Sequence, residues 1–116
     1  MAQEVAPAEL RHVLRETFGG DARSAALVEY FHTQRDPVVA QTVDKAASWL
    51  HHHGHAHVAV LCVDLAQDTE GQLDRMRVKV LPQPTTVALY RQYGQRTQLW
   101  AGQATSASAL VHAAIR

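Results

Sequence analysis

The sequence predicts an α/β fold, a mixed central sheet of four to five strands flanked by helices. Three observations predict it. Helix-like and strand-like patterns alternate through the first half of the chain. Residues 58–63 (VAVLCV) form an apolar, mainly β-favouring run, the signature of a central strand buried on both faces. Two strand-like runs near the end are separated only by a turn at Gly94, which implies an antiparallel hairpin.

The elements follow in order. Between Pro7 and Phe18, Leu10, Val13, Leu14 and Phe18 recur at helical spacing, and Gly19-Gly20 stops the pattern. Ala25 to Phe31 (AALVEYF) reads as a buried strand interrupted by Glu29. Asp36-Pro37 is a good helix start. Asp accepts from the free N–H groups of the first turn, and proline at the first position has no N–H to leave unpaired. Val39, Val43, Ala46, Ala47 and Leu50 then form one apolar face, and Gly54 can end the helix in a left-handed conformation. A short helix is expected over residues 70–77, weakened by Gly71. Strands are expected over 85–90 and 98–101. Thr105 or Ser106 caps a last helix whose Ala107, Leu110, Val111, Ala114 and Ile115 face inward.

At 116 residues, with 47% apolar side chains, the chain suits one compact domain over residues 1–116. Eleven basic and eleven acidic side chains cancel, and the nine arginines are scattered, so neither nucleic acid nor an anionic membrane is an expected partner. The first residues lack the basic start and apolar segment of a secretory signal. A lone cysteine, Cys62, cannot pair internally. A cytoplasmic setting is the expectation that follows.

This order of elements resembles the thioredoxin-like superfamily, and several motifs fall at matching places. Leu27-Val28-Glu29-Tyr30-Phe31 resembles the family's second strand, where a buried acid precedes two aromatics. Six residues after Glu29 the family places its Cys-x-x-Cys; here that stretch is Arg35-Asp36-Pro37-Val38. The motif's proline is matched by Pro37, and Arg35 and Val38 replace both cysteines. Residues 58–64 resemble the third strand ending in Asp, with Val60 where the family usually has a lysine. Gln83-Pro84-Thr85 resembles the cis-proline loop, and Leu99 to Gly102 the fifth strand and its glycine. The resemblance implies a thioredoxin-like three-layer sandwich.

Thiol–disulfide exchange needs one thiolate to attack and a second thiol to resolve the mixed disulfide. Arg35 and Val38 supply neither, so the expectation is a non-enzyme as far as dithiol chemistry goes, with no cofactor. In redox-active relatives the backbone at the cis-proline pairs with an extended peptide, a strand addition that requires no thiol. The resemblance therefore implies a redox-inactive protein-binding module: a chaperone, an assembly factor or an adaptor. Its partner is another polypeptide, and Arg35, Asp36, Pro37, Gln83, Pro84 and Trp100 are the candidate contacts. The resemblance includes such classes, among them non-catalytic domains of protein disulfide isomerases and accessory chaperones of hydrogenase maturation, and no residue selects one of them. A homo-oligomer is a second partner option, through sheet edges or apolar helix faces.

Glu29 reads either as a retained acid–base group or as a structural acid hydrogen-bonded to a neighbour. Cys62, within an apolar strand, reads as core packing. His51, His52, His53, His55 and His57 place five imidazoles within seven residues. If the segment from His53 to His57 is extended, His53, His55 and His57 share one face, enough for zinc or nickel. Metal binding or delivery is the alternative function, against a solvated turn at the end of a helix. An enzyme with a non-cysteine site, as in glutathione transferases, would need an activating Ser, Tyr or Cys near the first strand and a helical domain, and neither appears.

Overall fold

In the computed structural model, residues 2–19, 24–68, 85–91, 95–101 and 105–116 are described. A five-stranded mixed sheet has the order β1-β3-β2-β4-β5, with β1 Gln3–Glu4, β2 Ala25–Phe31, β3 Val58–Asp64, β4 Thr85–Arg91 and β5 Gln95–Ala101. The first three strands in chain order are mutually parallel, and β4 runs antiparallel to both β2 and β5. Helix α1 (Pro7–Phe18) covers one face. Helices α2 (Pro37–His52) and α3 (Ala107–Ile115) cover the other, which completes the expected three-layer sandwich.

The alternation of side chains along each strand divides the core. Ala26, Val28 and Tyr30 of β2 join Leu61 and Val63 of β3 against Leu10, Leu14 and Phe18 of α1. Ala25 and Leu27 face the other way, with Val58, Val87 and Leu89, onto Val39, Val43 and Leu50 of α2 and Leu110 and Ala114 of α3. Tyr30 and Tyr90 meet hydroxyl to hydroxyl at 2.7 Å beneath α1, so burying two phenols leaves neither oxygen unpaired. Burial, reinforced by Tyr90, pushes the Tyr30 phenol well up from its ordinary range.

The helix signals operate as expected. Asp36 accepts from Val38 N at 2.9 Å and Val39 N at 3.4 Å, with Pro37 at the first helical position. Gly54, at φ 76°, turns the chain out of α2. Ser106 Oγ caps α3 by accepting from Ala109 N at 3.2 Å.

Four expectations are corrected. β2 runs unbroken through Glu29, because a neighbouring cation meets the carboxylate inside the sheet's cover. β1 was not anticipated: two residues carry no readable period. β5 starts three residues before the expected 98. Ile115, at the last turn of α3, is exposed rather than inward-facing. The expected helix over 70–77, the turn at Gly94 and the glycine at 102 lie outside the described residues.

Candidate functional site

The parallel strands β2 and β3 end together, Phe31 beside Asp64, and the chain leaving β2 reaches α2 within five residues. His32, Thr33 and Gln34 are exposed in this connection. Thr33 has φ 65°, a left-handed backbone that a β-branched residue seldom adopts. Asp64 compensates it: its Oδ1 accepts from Thr33 N at 2.7 Å and from Ala66 N at 2.9 Å. One buried carboxylate thus fixes the loop after β2 to the single 3-10 turn Leu65–Gln67 after β3.

Glu29 and Arg35 form the centre of the site. Glu29 lies on the α2 side of the sheet and is 0% exposed. Its partner is the residue that replaces the first expected cysteine. Arg35 Nη2 donates to Glu29 Oε1 at 2.5 Å, and Nε lies 3.2 Å from both carboxylate oxygens. The other edge of the guanidinium meets α2, with Nη2 3.3 Å from Asp44 Oδ1 and Nη1 3.4 Å from Asp44 Oδ2. Asp44 Oδ1 also accepts from Ala2 N at 3.0 Å. A guanidinium has five N–H donors in a planar fork. Two carboxylates occupy both of its edges, leaving at most one N–H of Nη1 for any other group.

The electrostatics follow from this arrangement. Hydrogen bonding to Glu29 raises the Arg35 pKa most, burial opposes it, and Asp44 adds to the rise. Burial pushes Asp44 upward, but the Ala2 amide and the Arg35 guanidinium outweigh it and hold the carboxyl below its usual range. Cys62 pairs with Glu29 across β2 and β3, and burial raises its thiol pKa against the opposing pull of Arg35. A buried, protonated thiol is a poor nucleophile. At the head of α2 the Asp36 side chain accepts from Val38 N and Val39 N, and Ala40 N donates to Asp36 O. The helix terminus therefore offers little to an incoming anion or thiolate.

The structure unites Glu29, Arg35, Asp36 and Pro37 at one end of the sheet and adds Asp44 and Asp64, which the sequence reading missed. Asp44 lies on α2 eight residues beyond the cap, and its only sequence signal was its charge among the apolar positions of that helix. Val38 at this end is 58% exposed, unlike a core side chain. Trp100 is half-buried. It pairs with Val87, the cross-strand neighbour of Glu29, and packs into the core beneath α2 and α3. Gln83 and Pro84 lie outside the described residues.

The histidines occupy the opposite end of α2. The segment from His53 to His57 is a turn, not the extended stretch that would align three rings, because Gly54 reverses the chain. His53 stacks on Trp49 with ring centroids 3.9 Å apart, and its Nδ1 lies 2.8 Å from Trp49 O. His55 lies parallel to the same indole at 5.7 Å and meets His57 edge-on. Among the described residues, no three His, Cys, Asp or Glu side chains are grouped to hold a metal ion.

No family model and no curated protein sequence matches this chain. Solved structures do. Chloroplastic thioredoxin z is 14% identical with a TM-score of 0.65, over 97% of this chain and 90% of that one. Thioredoxin from Fasciola hepatica is 17% identical with a TM-score of 0.64, over 98% and 96%. The first two thioredoxin domains of Saccharomyces cerevisiae Eps1p give 8% identity and a TM-score of 0.66, over 98% of this chain and 40% of that one. With one cysteine in its sequence, the chain has no dithiol Cys-x-x-Cys site. What it shares with these proteins is the architecture: this is a thioredoxin-like α/β fold.

Proposed function

We propose that this chain is a redox-inactive thioredoxin-like module that binds another polypeptide at the end of the sheet where β2 enters α2, as a chaperone, assembly factor or adaptor. The observation that carries the reading is the Arg35–Glu29 pair. At the position of the expected nucleophile stands a cation whose donors are spent on buried and half-buried carboxylates. Arg35 acts here as a positioning residue that holds the loop and the head of α2. Contact with a partner falls to the surface around it, Pro37 and exposed Val38, and to Gln83 and Pro84 of the following loop. Chloroplastic thioredoxin z, of the same architecture, is a protein described by its target recognition.

Two assays test the reading. Purified protein free of host thioredoxin should fail to reduce insulin disulfides. Immobilised protein should capture a defined partner from lysate, and Val38→Asp or Gln83→Ala should weaken the capture while leaving the circular dichroism spectrum unchanged. Insulin reduction by the wild-type chain, or capture indifferent to both substitutions, would refute it.

A further inference from the structure

Charge and apolar exposure at the proposed binding end combine to define the partner's chemistry. Glu29, Asp36, Asp44, Asp64 and Asp68 lie at or just behind the surface where β2 and β3 end, and Arg35 is the one cation among them within the described residues. Five carboxylates against one guanidinium leave four uncompensated negative charges. Arg91 and Arg96 lie at the far end of the sheet, where β4 meets β5, and Arg116 follows the far end of α3. Arg11 and Arg15 are on α1, and Lys45 is more than two turns into α2, about 12 Å along its axis. The intervening segment 69–84 carries three basic and two acidic side chains, too close to neutral to cancel the excess. Within this acidic setting Val38 is exposed beside Pro37 on the first turn of α2, the one large apolar side chain exposed at this end among the described residues.

Resting on the polypeptide-binding reading, we propose that the occupant is an extended basic segment of another protein. Its Arg or Lys side chains lie against the acidic rim, and an apolar side chain between them packs on Val38 and Pro37. Most of the rim carboxylates are already engaged: Asp36 caps α2, Asp64 holds Thr33, and Asp44 holds Arg35. They therefore act mainly through their field, which selects the sign of the ligand and speeds its arrival. The same field repels the phosphates of nucleic acid.

The test uses two fluorescein-labelled twelve-residue peptides with identical apolar residues, one carrying Arg and the other Glu at the alternate positions. Fluorescence anisotropy is read at 50 and 500 mM NaCl. The Arg peptide should bind at least about tenfold more tightly than the Glu peptide, and high salt should weaken it about tenfold, because screening lengths shrink to a few ångströms. Asp36→Ser with Asp68→Asn, which keeps a capping oxygen while removing two charges, should weaken the Arg peptide by about threefold or more. Val38→Ser should weaken it too. Equal affinity for both peptides, or no salt dependence, overturns the basic preference and leaves polypeptide binding standing. Arg-peptide binding unmoved by either set of substitutions places it elsewhere and overturns the proposal. No binding of either peptide overturns this proposal together with the function it rests on.

Discussion

Arg35 reaches back six residues to cover Glu29, its Nη2 2.5 Å from a carboxylate oxygen that no solvent touches. The buried acid and the residue in place of the nucleophile are thus two halves of one ion pair. Removing one half leaves the other as an uncompensated buried charge. Arg35→Ala should cost about 2–4 kcal/mol, below the full value for a sealed pair because the Arg35 side chain is 25% exposed. Exchanging both partners for apolar residues, Glu29→Leu with Arg35→Met, should return the protein to within about 1 kcal/mol of wild type. Urea denaturation of the single and double variants measures both.

Asp44 links stability to pH. Its carboxyl is held below the ordinary Asp value in the folded protein, so the unfolded chain takes up its proton first. The stabilisation is complete above the unfolded value of about 3.9 and is lost as pH falls through the lower folded value. Asp44→Asn should therefore flatten the acid limb of stability between about pH 5 and 2. At pH 7 the loss should be about 1 kcal/mol or less, since the side chain is partly open to solvent. Urea midpoints across that range read the difference.

Restoring the cysteines should not restore a good reductase. In Arg35→Cys with Val38→Cys, the thiolate would sit beside Asp36, whose carboxylate already occupies the first N–H groups of α2. Little is left to stabilise the thiolate, and its negative neighbour raises the thiol pKa. Insulin reduction should stay more than about tenfold below that of a thioredoxin assayed alongside, with a thiol titrating near or above the ordinary cysteine value of about 8.5.

Cys62 should behave as a core residue. Burial raises its thiol pKa, and its neighbour across the strands is Glu29. Labelling with 5,5′-dithiobis(2-nitrobenzoate) should be slow in the native protein and complete at once in urea. Fast native labelling would mean that the cover formed by Arg35 and α2 opens readily.

Much of the fold was legible because its signals are local. The Asp36-Pro37 start, Gly54 and the VAVLCV run each act through their own backbone or a single face. β1 was not legible, since two residues cannot show a period and its pairing depends on β3. The site was legible in membership and wrong in sense. Arg35 and Glu29 were both singled out, one for what it replaces and the other as an acid seeking a neighbour, yet the sequence did not join them. Their pairing depends on a loop whose path is set by Thr33 in a left-handed conformation and by Asp64 on another strand. The histidine cluster shows the reverse. Its composition suggested ligands, and one left-handed glycine turned the rings onto Trp49.

The amide of Ala2, Asp44, Arg35 and Glu29 form a continuous chain of contacts from the outermost strand to the middle of the sheet. Asp44 Oδ1 serves both neighbours, so detaching the N-terminal strand and withdrawing the guanidinium draw on the same atom. Reciprocity follows. Whatever steadies the first turn of α2 also steadies β1 by the same free energy, and loosening β1 weakens the grip at the binding end. The shortest strand in the molecule thereby becomes a second handle on its site.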